Sequence, residues 1–131
     1  MKCTVVFFIA TIFGAVICDE GKYTTKYDNI DLDEILNNDR IYEKYFLCLK
    51  GEGKCTPDGR ELKVALPDAL KTRCVKCSEK QRAGTEKVLR FILDKKPNDY
   101  LVLEKIYDPD RMYRVMYKED AEKLGLKFPT K

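Results

Sequence analysis

Apolar residues from Asp31 onward recur at the three- and four-residue spacing of a helix, and no stretch alternates as a strand would. Capping residues, prolines and glycines divide this pattern into about six short segments. We therefore predict an all-α protein, built as a single compact domain of about six short helices.

The first half of the pattern predicts three helices. Asp31 can cap the first, "DLDEILNN", and Gly51 can end the second. Thr56 followed by Pro57 opens the third, because proline is well suited to the first helical position. We expect that helix to stop at Pro67, with a separate short helical turn over "DALKT".

The second half predicts the remaining helices. The stretch "SEKQ" offers a capping box for the longest one, which extends to about Asp94. Pro97 opens the next helix. Asp108 and Pro109 repeat the cap-and-proline signal for a last helix, and Gly125 should end any extension of it.

The amino terminus follows a different pattern. Lys2 precedes an uncharged run from Cys3 to Ile17, and small residues precede a cleavage point after Cys18. This pattern is typical of a secretory signal peptide. A retained anchor is the alternative, but the run is shorter than the roughly 20 apolar residues that a membrane span needs. We expect residues 1–18 to be removed and residues 19–131 to be secreted.

Cleavage would leave four cysteines with the spacing C-x6-C-x18-C-x2-C. In an oxidising extracellular setting this predicts two disulfides, although the spacing does not choose among the three possible pairings. A zinc site is disfavoured by the wide first gap. Thiol–disulfide exchange at "CVKC" is disfavoured because no βαβ pattern surrounds it.

Charge and composition exclude further classes. Without Lys2 the net charge falls from +3 to +2, and the charges are interspersed, so nucleic-acid binding is not expected. The chain has no histidine, so neither a catalytic triad nor a histidine base is available. Asp31 and Glu34 fit helix caps better than catalytic carboxylates. We expect no enzyme activity, no cofactor and no metal.

Several motifs together resemble those of one protein family. The cysteine spacing, the opening "YTTKYDNIDLDEIL", the stretch "CSEKQ" before "KVLRFIL", and "KPNDY…KIYDP" are similar to the insect chemosensory, or OS-D-like, proteins. The resemblance covers essentially the whole mature chain. It implies helices around an internal hydrophobic channel, local disulfides Cys48–Cys55 and Cys74–Cys77, and binding of long-chain aliphatic molecules.

The resemblance also implies which residues line the channel. Tyr27 matches a tyrosine at the channel mouth. The positions that match the channel wall are Tyr45, Leu62, Val88, Ile92, Tyr100 and Leu103. The chain departs from the family pattern at three places. Tyr100 replaces a frequent tryptophan, which alters the wall, Arg111 replaces a common glycine, and Cys18 is unusual at the end of the signal peptide.

Two functions from different classes fit these features. The first is a secreted carrier that binds and solubilises small hydrophobic ligands, such as long-chain aliphatic semiochemicals, fatty acids, alcohols or related lipids. The second is an extracellular signalling or interaction protein that acts through its surface in development or regeneration. A CxxC thiol–disulfide protein is less favoured. For the carrier we expect a monomer whose partners are its ligands, with no membrane span and a receptor partner left open.

Overall fold

The computed structural model describes residues 21–130, and within them every regular element is an α-helix. No helix in this range is long and apolar enough to cross a bilayer. The predicted signal peptide, with cleavage after Cys18, lies outside the described residues. The helices are α1 (Leu32–Asn37), α2 (Asp39–Lys50), α3 (Pro57–Thr72), α4 (Glu79–Lys95), α5 (Pro97–Tyr107), α6 (Met112–Met116) and α7 (Lys118–Lys123).

Local signals in the sequence set most helix boundaries, as predicted. The Asp31 side chain accepts a hydrogen bond from the backbone N–H of Glu34 and caps α1. Gly51 ends α2 with φ 79°, a conformation that glycine adopts without steric cost. Ser78 and Gln81 form the reciprocal capping box at the start of α4.

The third helix differs from the prediction, because α3 continues through Pro67 without a break. Proline has no N–H, so the carbonyl of Lys63 loses its usual helical partner. Pro67 lies on the exposed face of the helix, while Leu66 and Leu70 line the interior on either side of it. Interior packing of α3 therefore outweighs the missing hydrogen bond.

The last predicted helix is divided into α6 and α7, so the described residues form seven helices. Pro109 lies in the turn before α6 and not at its first position. Asp108 still acts as a cap, because its Oδ2 accepts hydrogen bonds from the backbone N–H groups of Tyr113 at 3.0 Å and Arg114 at 3.1 Å.

The helices surround a partly hollow interior. α2 packs against α1, α3 and α5, and α4 packs against α1 and α5. A small solid core of Leu36, Tyr42 and Ile92 lies where these helices meet. Few other apolar side chains in residues 21–130 are fully buried, because much of the inward-facing surface borders a cavity.

Both disulfides are local, as the family resemblance implied. Cys48–Cys55 joins the end of α2 to the residue before the α3 cap, and Cys74–Cys77 closes the turn between α3 and α4. The paired Cα atoms are 4.9 Å and 5.1 Å apart. The bridges therefore fix helix junctions. Because all four cysteines are oxidised, they cannot act as thiolate ligands of a zinc ion.

Candidate functional site

A cavity of about 460 Å³ lies among the helices. Its volume falls in the usual range of small-molecule sites, roughly 300–1,000 Å³. Leucine, isoleucine, valine and aromatic side chains make up most of its wall, and they come from α1 to α6 and from the segments before α1 and after α7. Such a wall can bind an apolar molecule by removing it from water.

All seven residues assigned to the channel by family resemblance lie on the wall of this one cavity. Ile92 is among the most buried, whereas Leu62 is 44% exposed. Tyr27 and Leu62 also border a second cavity of about 170 Å³ beneath the amino-terminal segment. Their contribution to ligand binding stays a prediction.

Several wall residues were not assigned from the sequence. Tyr42, Phe46 and Leu49 line the cavity and share a face of α2 with Tyr45, so helical periodicity could have found them. Phe128 also lines the cavity but follows the last helix, where no periodicity exists.

The tyrosine hydroxyls of the wall are mostly paired with the protein itself. Five of them donate hydrogen bonds: Tyr42 to Asp99, Tyr45 to Asp58, Tyr100 to Glu104, Tyr107 to the Leu49 carbonyl and Tyr117 to the Leu70 carbonyl. Burial, together with the carboxylate partner, raises the pKa of Tyr42 and Tyr100 well above the ordinary value. These hydroxyls are therefore neutral and already occupied.

Glu104 and Arg114 form a bidentate ion pair on the cavity wall. Nε and Nη2 of Arg114 donate to the two carboxylate oxygens of Glu104, each at 2.8 Å. The Glu104 side chain is only 4% exposed. Burial opposes its ionisation, but the hydrogen bonds and charge of Arg114 outweigh burial and lower the pKa of Glu104. The two side chains therefore satisfy each other through two charge-assisted hydrogen bonds.

The described residues leave no fully buried side-chain polar atom free for a ligand. No buried side-chain nitrogen or oxygen atom in residues 21–130 lacks a hydrogen-bond partner. The same residues contain no group of three or more His, Cys, Asp or Glu side chains that could hold a metal ion. The cavity can therefore contribute mainly apolar contact.

Comparison with known proteins gives this arrangement a family. The sequence profile of the insect pheromone-binding family, A10/OS-D, matches residues 23–115, which include both disulfides and all seven predicted channel residues. The chain belongs to this family. The resemblance drawn from the sequence motifs is thereby confirmed.

OS-D relatives support the assignment in sequence and in structure. Ejaculatory bulb-specific protein 3 of Drosophila melanogaster is 57% identical over 117 residues, which are 88% of this chain and 93% of the relative. A chemosensory protein solved in complex with bromo-dodecanol is 42% identical, with a TM-score of 0.71, and covers 76% of this chain and 100% of its own. Antennal chemosensory protein A6 from the moth Mamestra brassicae is 36% identical, with a TM-score of 0.66 over 78% of this chain and 100% of its own.

Proposed function

We propose that this OS-D protein is a secreted carrier that binds and solubilises small hydrophobic ligands with a long aliphatic chain. Semiochemicals, fatty acids, alcohols and related lipids have this chemistry. The observation that carries the proposal is the apolar cavity of about 460 Å³. The relative solved with bromo-dodecanol supports it, and the predicted signal peptide, the disulfides and the family support secretion.

The energy of binding would come from the apolar wall. Burying an alkyl chain of about twelve carbons would contribute roughly 10 kcal/mol, at about 0.8 kcal/mol per methylene. Lost motion of the ligand opposes binding by several kcal/mol. With about 4 kcal/mol lost in this way, the remainder of about 6 kcal/mol corresponds to a dissociation constant of roughly tens of micromolar.

The paired state of the polar wall groups predicts a broad ligand range. Hydrogen bonds select a head group when a site presents unpaired donors or acceptors. Here the hydroxyls of Tyr42, Tyr45 and Tyr100 and the Glu104–Arg114 pair already have partners. We therefore expect affinity to depend on chain length more than on head group.

The test is displacement of a hydrophobic fluorescent probe, N-phenyl-1-naphthylamine, from oxidised protein 19–131. Straight-chain alcohols, acids and amides of increasing length would serve as competitors. The chain has no tryptophan, so an added probe is more suitable than intrinsic fluorescence. We expect displacement to strengthen with chain length in each series. A folded, helical sample that binds no probe would contradict the carrier proposal.

A matched pair of variants links binding to the cavity. Ile92→Asp places a charge on the wall and should abolish probe binding, because a buried unpaired charge is strongly unfavourable. Val115→Asp is the control, since Val115 is 75% exposed and lies off the wall. Equal loss of binding in both variants would argue against the cavity as the site. The surface-acting alternative predicts that biological activity survives Ile92→Asp in folded protein.

A further inference from the structure

Phe128 contributes to the cavity wall from outside the helical bundle. It follows α7 and Gly125, in a segment without regular secondary structure, and it lies beyond the span 23–115 that the family profile matches. Its ring stacks on Tyr100, with the ring centroids 5.6 Å apart. The carboxyl-terminal segment therefore covers part of the cavity.

Arg114 holds this segment in place. Its Nη1 donates a hydrogen bond of 2.8 Å to the carbonyl of Pro129, the residue after Phe128. The guanidinium carbon lies 5.3 Å from the ring centroid of Phe128 and 5.8 Å from that of Tyr100. Since Glu104 fixes the other guanidinium nitrogens, Arg114 is a rigid support for the tail.

A second tether fixes the segment before Phe128. The backbone N–H of Leu126 donates to the carbonyl of Ala121 at 2.8 Å, which anchors the chain as it leaves α7. Phe128 is thus held on both sides, by the backbone at 126 and by Arg114 at 129. A side chain held in this way can act as a fixed wall.

The Phe128 part of the wall is separate from the part shared with the smaller cavity. Tyr27 and Leu62 border both cavities, whereas Tyr100, Arg114 and Phe128 border only the larger one. A chain bound along the wall from Tyr27 and Leu62 to Tyr100 would reach the Phe128 ring, because that ring stacks on Tyr100.

We propose that Phe128 is the end wall of the cavity and sets the length of the aliphatic chain that the protein accepts. This inference rests on the proposed carrier function. It assigns a specificity role to Phe128 and a positioning role to Arg114, which acts through the tail. Ligands up to the limiting length gain contact with each added methylene, and longer ones must displace the tail.

Removal of the ring should extend the accepted length. The phenyl group occupies wall area equal to that of several methylenes. The optimum, meaning the chain length that binds most tightly, should therefore be longer in Phe128→Ala by about two to four carbons. Each methylene newly accommodated should strengthen binding about fourfold. Phe128→Leu should shift the optimum less, because leucine retains part of the apolar bulk.

The experiment is displacement of N-phenyl-1-naphthylamine from protein 19–131 by straight-chain primary alcohols. It compares the unaltered protein with Phe128→Ala, Phe128→Leu and the off-wall control Val115→Ala. Arg114→Lys is a further variant, which keeps a positive charge but loses the bidentate fork. Circular dichroism checks that each variant keeps its helical content.

The expected result is a longer optimum in Phe128→Ala, a smaller shift in Phe128→Leu, a longer optimum in Arg114→Lys and no shift in Val115→Ala. An unchanged optimum in folded Phe128→Ala would overturn the end-wall role while the carrier function stands. If Phe128→Ala lost its helical content, Phe128→Leu would be the deciding variant, and an unchanged optimum in that variant would overturn the end-wall role. If no alcohol displaced the probe from the unaltered protein, both proposals would fall together.

Discussion

The backbone conformation at Arg111 is one that favours glycine over a residue with a side chain. Its φ is 55°, in the left-handed region where a side chain is strained and glycine is not. The resemblance to the family implied glycine at this position. Arg111 gains only a contact with Glu104, 3.4 Å from Nε to Oε1, and its side chain is 53% exposed. Such an ion pair contributes little.

We expect Arg111→Gly to raise the free energy of unfolding by about 1 kcal/mol, because relief of backbone strain exceeds the loss of a 3.4 Å contact made by a half-exposed arginine. Urea unfolding followed by circular dichroism measures the change. The matched control is Gly125→Ala, where φ is 70° and an added Cβ would meet nothing within 4 Å. It should lower the free energy of unfolding by about 1 kcal/mol. Destabilisation by Arg111→Gly would mean that the contact with Glu104 matters more than the strain.

At the scale of an element, the start of α4 does more than begin a helix. The hydroxyl of Ser78 accepts from the backbone N–H of Gln81 and donates to Asp28 at 3.0 Å. The Gln81 side chain also donates to Asp28, at 2.9 Å. Asp28 follows Tyr27, and both line the cavity. The cap of α4 therefore holds the amino-terminal segment against the site.

Loss of the Ser78 cap should destabilise the fold more than loss of a cap that makes no contact beyond its own helix. Ser78→Ala removes the cap and the hydrogen bond to Asp28, so we expect the free energy of unfolding to fall by about 2 kcal/mol. Asp31→Ala removes only the cap of α1, with an expected loss of about 1 kcal/mol.

Urea unfolding of the two cap variants would compare them directly. Equal losses would show that the contact between Ser78 and Asp28 contributes nothing to stability. Probe binding by Ser78→Ala should also weaken, because Tyr27 loses support from its neighbour Asp28.

Most helix boundaries were predictable because they depend on short-range chemistry. Asp31, Gly51 and the Ser78–Gln81 box act within a few residues of their own positions, and each was identified from the sequence. The path of α3 through Pro67 was not predictable, since it depends on packing against distant helices. The sequence indicated Asp108 as a cap, but not that α6 begins only at Met112 or that it ends before α7.

At the scale of the whole molecule, the cavity itself was the hardest feature to predict. A stripe of inward-facing residues looks the same in a sequence whether the interior is filled or hollow. Only family resemblance placed Tyr45, Val88 and Tyr100 on a channel wall. The Glu104–Arg114 pair and Phe128 were missed, because their roles arise from contacts between α5, α6 and the tail.

The charged groups of the whole chain predict a loss of stability in acid. Hydrogen bonds and charge from Arg114 outweigh burial and lower the pKa of Glu104, and hydrogen bonds from Thr56 and Tyr45 do the same for Asp58. A lowered folded-state pKa stabilises the fold above the unfolded value, about 4, and that contribution is lost as pH falls through the folded value.

We therefore expect the urea midpoint to hold steady from neutral pH to about pH 5 and to fall below about pH 4. In Glu104→Gln the urea midpoint should fall less steeply below about pH 4. The control is Glu86→Gln. Both side chains of the Glu86–Arg90 ion pair are about half exposed, so this substitution should leave the acid decline of the urea midpoint unchanged. An acid decline of the same steepness in Glu104→Gln would exclude Glu104 as a cause.

Ionisation of tyrosines should destabilise the fold at alkaline pH. Burial and the hydrogen bond to Asp68 raise the pKa of Tyr23 to about 12, and burial also raises the pKa of Tyr42 and Tyr100. A raised folded-state pKa stabilises the fold below the unfolded value, about 10, and the contribution is lost as pH rises further. The urea midpoint should thus fall above about pH 10, and less so in Tyr100→Phe.

The hollow interior has a consequence for how long the protein persists. A bound ligand would cover apolar wall that otherwise borders empty space, and so would act as a missing part of the core. By mass action, ligand at about 100 times its dissociation constant stabilises the folded state by about 2.7 kcal/mol. An empty molecule would open more often and be cleaved by extracellular proteases sooner than a loaded one. The lifetime of the protein would then depend on whether a ligand is bound.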